Sequence, residues 1–272
     1  MPELPEVETI ANGVNRRVRG DVILSTWFSN YKEPFKTPQA ELAEALTRAR
    51  IGRVYRVGKH IVVDLTAKAG RKTKSQLVVH LGMTGRLLVS SPDVPLPPHT
   101  HAVLTLTSGR ELRFVDPRRF GRLALEAEGG FAGPGHEPLT IGAEEFAELF
   151  RGRKLAIKAA LLNQSLLHGV GNICADESLF RAGIRPTRVA GRLTREQLGR
   201  LRKALQTVLQ AAIRAGGSSV SDYVDADGVE GFFQVQHRVY GREGEPCRVC
   251  GGPIRRIVLA GRGTHFCPKC QM

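Results

Sequence analysis

Four cysteines restrict what the end of this chain can become. They stand as Cys247-x-x-Cys250 and Cys267-x-x-Cys270, with 16 residues between the pairs, inside the last 26 residues of a 272-residue sequence. A segment this short buries too little apolar surface to hold a shape unaided. Short Cys-x-x-Cys turns each set two thiolates on one side of a metal, and two such knuckles complete a tetrahedron. The spacing predicts a zinc ribbon with one structural Zn2+. Two disulfides instead would need an oxidising compartment. The sequence has no signal-peptide pattern and no stretch apolar enough to span a membrane, so a cytoplasmic setting and reduced thiols are expected. Cys174, the fifth, falls in an expected helix and reads as a buried thiol.

Forty Lys and Arg against 26 Asp and Glu give a net charge of +14 on an otherwise ordinary composition, 42% apolar. A surplus of that size usually serves a polyanion, and nucleic acid is the foremost one. Residues 232–272 concentrate it: Arg238, Arg242, Arg248, Arg255, Arg256, Arg262 and Lys269 face only Glu243 and Glu245 in sequence.

The chain opens Met-Pro-Glu-Leu-Pro-Glu-Val-Glu-Thr. Removal of Met1 would leave Pro2 as a free secondary amine. An α-amino group titrates near pH 8, about two units below a lysine, so far more of it is neutral and nucleophilic at physiological pH. Val7, Ile10, Ala11, Val14 and Val18 share one helical face, which predicts an amphipathic helix over residues 3–19, with Pro5 in its first turn. Glu3 and Glu6 border that face and Glu8 points away, toward solvent. Acids in a first turn can simply complement the helix dipole. Their inward placement suggests instead that one of them exchanges a proton beside the amine.

From Asp21 to Leu125 the pattern is short strand-like runs: Val22 to Phe28, Ile61 to Leu65, Leu77 to Leu81, Arg86 to Val89, Ala102 to Thr107 and Glu111 to Val115. Turn residues separate them, as in a sandwich or barrel. Residues 126–142, rich in Gly and Pro, read as a hinge. The period then becomes helical. Leu155 to Gln164 and Ile173 to Ala182 flank His168-Gly169-Val170-Gly171-Asn172, a glycine turn with Asn at the second helix's cap, suited to a phosphate oxygen. Thr194 and Gln197 form a capping-box pair ahead of a long helix that Gly216-Gly217 ends. The polar, glycine-bounded run 216–231 predicts a mobile loop.

Together these features resemble the bacterial formamidopyrimidine-DNA glycosylase family, over the whole chain. The motifs are Pro2-Glu3-Leu4-Pro5-Glu6-Val7-Glu8-Thr9, His80-Leu81-Gly82-Met83-Thr84-Gly85, Asp116-Pro117-Arg118-Arg119-Phe120-Gly121, Gly169-Val170-Gly171-Asn172-Ile173 and Gly261-Arg262-Gly263-Thr264-His265-Phe266-Cys267. The resemblance implies an α+β protein of two domains. Residues 1–125 would form a catalytic β-sandwich with flanking helices, 126–142 a linker, 143–231 a helix-two-turn-helix domain carrying a lesion-reading loop at 216–231, and 232–272 a zinc finger. DNA would lie in the cleft between the domains.

It further implies a base-excision enzyme, glycosylase and abasic-site lyase in one, that turns oxidised purines such as 8-oxoguanine and formamidopyrimidines out of duplex DNA. Pro2 would displace the base and form a Schiff base, with Glu3 as the acid and Glu6 beside it. Lys59 and Arg262 would assist elimination of the two flanking phosphates. On residue chemistry alone, Lys59 in Val57-Gly58-Lys59-His60 reads as a solvated turn lysine. Met83, Arg118 and Phe120 match the residues that fill the hole left by the extruded nucleotide. Lys59, His80, Asn172, Tyr240 and Arg262, with His99 and Arg153, match phosphate contacts. No organic cofactor is implied, and a monomer is expected.

Cys174 and Ser165 depart from the family's frequent tyrosine and lysine, and 216–231 matches it less closely. The related endonuclease VIII branch, which prefers oxidised pyrimidines, typically carries glycine where this chain has Leu4. A noncatalytic zinc-ribbon DNA-binding protein would use the basic charge and the metal, but not a Pro2 amine.

Overall fold

The structure is a computed structural model that describes residues 1–66, 75–127, 130–218 and 224–272. The chain forms two compact units, Met1–Ala132 with Gly216–Phe232, and Gly133–Ala215 with Phe233–Met272.

In the first unit, helix α1 (Leu4–Val18) precedes strand β1 (Ile23–Phe28), helix α2 (Gln39–Leu46) and seven further strands: β2 (Arg50–Val57), β3 (His60–Thr66), β4 (Ser75–His80), β5 (Arg86–Ser90), β6 (Thr100–Leu106), β7 (Glu111–Val115) and β8 (Arg122–Ala127). They pair antiparallel into two four-stranded sheets, β2-β3-β4-β8 and β1-β6-β7-β5. Ile61, Val63, Leu77 and Val79 of one sheet and Leu104, Leu106, Leu112 and Phe114 of the other enter one core. This is the sandwich that the strand pattern predicts.

All five residues of the expected apolar face of α1 lie in that core, with exposures of 0–1%. Each fully buried Val or Ile contributes about 1.5 to 3 kcal/mol, so this stripe dictates how the helix sits. Glu8 does not stay in solvent as expected. Its carboxylate accepts from Arg56 Nε at 2.7 Å, and the Arg56 side chain is only 5% exposed. A partly buried guanidinium needs an anion, and α1 supplies it.

The segment Gly216–Phe232 clusters with the first unit, whereas the sequence reading groups 216–231 with the helical domain and Phe232 with the zinc finger. Several contacts tie it there, among them the Arg17–Asp227 ion pair. The Ser218 amide donates to Glu6, Val89 N donates to Ala226 O, and the Ala226 side chain joins the sandwich core. Residues 219–223 of the expected loop lie outside the described residues.

The second unit holds α3 (Ala143–Glu148), α4 (Ile157–Leu162), α5 (Asn172–Ala182), α6 (Arg195–Arg214) and a hairpin of β9 (Arg255–Leu259) and β10 (Arg262–Phe266). The Thr194–Gln197 capping box forms as the sequence predicts, each side chain bonding the other's amide at 3.2 and 2.9 Å. At α5 the cap is Gly171 rather than Asn172. Asn172 is the first helical residue, and its side-chain Nδ2 donates to Gly263 O at 3.0 Å.

Candidate active site and DNA-contacting surfaces

The helical row that carries Val7 and Ile10 into the core draws two carboxyl groups in with it. Glu3 is 5% and Glu6 4% exposed, and Pro2 is buried beside them, while Met1 is half exposed. The Glu6 carboxylate accepts from the Glu3 amide at 2.8 Å and from the Ser218 amide at 2.7 Å. Burial, then the neighbouring Glu3 charge, push the Glu6 carboxyl from the ordinary 4.5 to about 7, although both amides pull the other way. At 1.36 kcal/mol per unit, that shift costs on the order of 3 kcal/mol in the ionised state, less than the apolar stripe contributes. The acids are held inside by their helix.

Lys59 is not the solvated turn lysine that its local sequence suggests. Gly58, at φ 60°, takes the left-handed first position of the two-residue hairpin between β2 and β3, and Lys59 follows it 9% exposed. Its charge bears on His80. Burial first, then the Lys59 and Arg122 cations, lower the His80 imidazole from its ordinary value and so favour its neutral form. Gly82 N donates to His80 Nδ1 at 3.2 Å, which places the ring proton on Nε2. A neutral Nε2–H can donate a hydrogen bond without adding a charge.

Met83, Arg118 and Phe120 share two adjacent loops. Met83 is 38% and Phe120 50% exposed, and the Arg118 guanidinium carbon lies 4.8 Å from the Phe120 ring centre. Large apolar groups held in solvent on tight loops are the residue type that enters a base stack. His99 is exposed, in a left-handed conformation at φ 65°.

In the second unit, α5 organises what surrounds Arg262. Its Asp176 carboxylate accepts from the His265 amide at 2.8 Å, and Lys158 Nζ and Asn172 Nδ2 both donate to Gly263 O at 3.0 Å. The hairpin tip carrying exposed Arg262 is therefore fixed from the residue that follows it. Glu177 accepts from the amides of Arg238, Val239 and Tyr240, each at 2.9 Å, and so sets the turn that presents Tyr240. Tyr240 also meets His265 edge to face, with ring centres 5.0 Å apart. Arg153 is tethered through Nε to Leu149 O. Sequence reasoning assigned no role to Lys158, Asp176 or Glu177, whose partners lie far away in the chain.

The sulfurs of Cys247, Cys250, Cys267 and Cys270 lie within 4.8 Å of one another, with Cys250 to Cys267 at 3.4 Å and Cys247 to Cys270 at 3.9 Å. Four thiolates about 2.3 Å from a tetrahedral Zn2+ stand about 3.8 Å apart, so the cluster has the size and donor set of a zinc site. Burial pushes the Cys247 thiol up, but the backbone donors at Cys250 and Val249, together with the Cys267 and Cys270 thiols, bring it down to about 7. Burial and the adjacent thiols drive Cys270 far up. Four close sulfurs disfavour successive negative charges unless a cation shares them. Cys174 is buried in α5, 2% exposed, as expected for a core thiol. No helix among the described residues is long and apolar enough to cross a membrane.

A helix-led β-sandwich, a glycine-turned helix pair and a four-cysteine ribbon define a zinc-finger protein of the helix-two-turn-helix class. Profiles of the formamidopyrimidine-DNA glycosylase N-terminal domain, its H2TH domain, and the zinc finger found in FPG and IleRS match residues 1–123, 134–224 and 244–271. A formamidopyrimidine-DNA glycosylase of Solibacter usitatus is 45% identical over 100% of this chain and 99% of its own. A Lactococcus lactis FPG variant, solved with DNA containing Fapy-dG, superposes at TM-score 0.90 with 33% identity over 100% of both chains. The Lactococcus lactis Fpg solved with abasic-site DNA gives 0.89 and 33% over 99% of each. The chain belongs to the formamidopyrimidine-DNA glycosylase family.

Proposed function

We propose that this chain is a bifunctional base-excision enzyme that removes oxidised purines from duplex DNA and then cleaves the strand. The observation that carries the reading is the pair of buried carboxyl groups at the N-cap and in the first turn of α1, directly after Pro2. The two carboxylates also cap α1 reciprocally, a structural use that any protein could have for them, but a noncatalytic DNA-binding protein has no use for a Pro2 amine beside them. The family's relatives solved with Fapy-dG and abasic DNA support the substrate class.

With Met1 removed, the Pro2 nitrogen attacks C1′ of a nucleotide turned out of the stack, and the C1′–N bond to the oxidised base breaks. Glu6, titrating at about 7, is suited to take the proton that the amine sheds. Glu3 protonates O4′ as the sugar ring opens, leaving an iminium between Pro2 and C1′. Loss of a C2′ proton expels the 3′ phosphate, and a second elimination expels the 5′ phosphate. Lys59 stabilises the first departing phosphate and Arg262 the second. Met83, Arg118 and Phe120 fill the vacated stack. His80, His99, Arg153, Asn172 and Tyr240 hold phosphates. The ribbon's Zn2+ is structural and takes no part in the chemistry. The enzyme acts in the bacterial cytoplasm on nucleoid DNA.

Borohydride reduction of the enzyme mixed with 8-oxoguanine duplex should give a stable protein–DNA adduct, and peptide mass spectrometry should place it on Pro2. Retention of Met1 with Pro2→Gly should abolish both adduct and strand cleavage. Full lesion cleavage by a chain with a blocked amino terminus would reject the mechanism.

A further inference from the structure

Asp116 is fully buried at the base of the Arg118–Phe120 loop. Its Oδ1 accepts from the Thr84 hydroxyl at 2.6 Å and from the Arg118 amide at 3.3 Å, and its Oδ2 accepts from the Gly121 amide at 2.7 Å. Thr84 follows Met83 on the other loop. One carboxylate thus spans both loops, and among the described residues its donors all come from them.

The main chain of Asp116 is equally engaged. Its amide donates to His99 O at 3.0 Å, and its carbonyl accepts from Arg119 N at 3.2 Å and from His101 Nε2 at 2.9 Å. That last bond puts the His101 proton on Nε2 and leaves Nδ1 to accept from Ser29 Oγ at 3.0 Å. Arg119 and His99, on either side, hold left-handed conformations at φ 56° and 65°, which non-glycine residues keep only under constraint. The loops also touch through backbone. A Cβ on Gly82 would fall 2.6 Å from Gly121 N and Phe120 C, so only glycine permits the approach.

We propose that Asp116 is a positioning residue that fastens the Met83 loop to the Arg118–Phe120 loop, so that the three side chains enter the duplex as one rigid wedge. The inference rests on the reading of those three residues as fillers of the vacated stack. Parting a base step costs a few kcal/mol, and a wedge on two independent loops would lose much of its binding energy in ordering them. A carboxylate suits the task because both of its oxygens accept. An amide at this position would turn an NH2 group toward either Thr84 or Gly121.

The test compares two substrates. Excision from 8-oxoguanine duplex needs the wedge, whereas borohydride trapping on a single-stranded abasic oligonucleotide has no stack to fill. Thr84→Val keeps the shape and removes only the hydrogen bond between the loops, and Asp116→Asn replaces one of the two shared acceptor oxygens with a donor. Both should slow duplex excision about tenfold or more, the loss expected for a hydrogen bond to a charged group. Both should leave single-strand trapping at the wild-type rate, and Thr84→Ser should restore duplex excision. Wild-type duplex rates for Thr84→Val, or equal losses on both substrates in a variant that melts normally, would overturn the proposal. Should Asp116→Asn fail to fold, Thr84→Val and Thr84→Ser decide alone. Failure of the wild-type enzyme to excise the lesion would instead strike the functional reading beneath it.

Discussion

The Lys158 ammonium lies 2.7 Å from the Asp176 carboxylate, and neither side chain has any solvent exposure. Lys158 also donates to Thr264 Oγ1 at 2.8 Å. The pair ties α4 and α5 to the start of β10. Asp176→Asn leaves a buried cation without its anion, and the unfolding free energy should drop by about 3 to 5 kcal/mol in urea titration. Replacing both partners by Met and Leu should recover most of that loss while releasing the Gly263 carbonyl.

Stability should also depend on pH through Glu6. Its folded-state value of about 7 exceeds the ordinary 4.5, so the folded chain keeps a proton that the unfolded chain has shed. The favourable contribution is complete below about pH 4.5 and disappears as pH rises through 7. Glu6→Gln should remove on the order of 3 kcal/mol of stability loss between those limits. Urea unfolding of both proteins at pH 5 and pH 7.5 measures the difference directly.

Removal of zinc should unfold the ribbon. Among the described residues, its apolar cluster is Val239, Cys247, Ile254 and Cys267 packed on Phe180 of α5, with Cys270 against it, too little to persist without four metal bonds. Cys267→Ser should lose the metal by atomic absorption, expose the amides of β9 and β10 to hydrogen exchange, and weaken DNA binding.

Binding to duplex DNA should weaken steeply with salt, as expected for a chain of net charge +14. Arg153→Ala should lower the slope of log K against log salt by about 0.9 if that side chain neutralises one phosphate. An unchanged slope in fluorescence anisotropy would remove Arg153 from the interface.

Local periodicity made much of this molecule legible in its sequence. The five-residue apolar face of α1, the capping box of α6 and the cysteine knuckles are all written within a few residues of one another. Strands β2 and β8 escaped because Arg50, Arg53 and Arg56 interrupt the alternation of one, while Leu-Ala-Leu-Glu-Ala in the other favours helix. Long-range polar contacts left no local trace. Thr84 reaches Asp116 across 32 residues, Glu177 reaches Val239 across 62, and Asp176 reaches His265 across 89. The burial of Lys59 was likewise invisible, since a Gly-Lys turn reads the same wet or dry.

The return of Gly216–Phe232 to the first unit bears on how the protein is made. The sandwich core is not complete until Ala226 has left the ribosome, long after its eight strands have emerged. A nascent chain stopped in the linker would carry every strand of the sandwich yet lack its closing element, so chaperone protection of the amino-terminal half should persist until translation is nearly done.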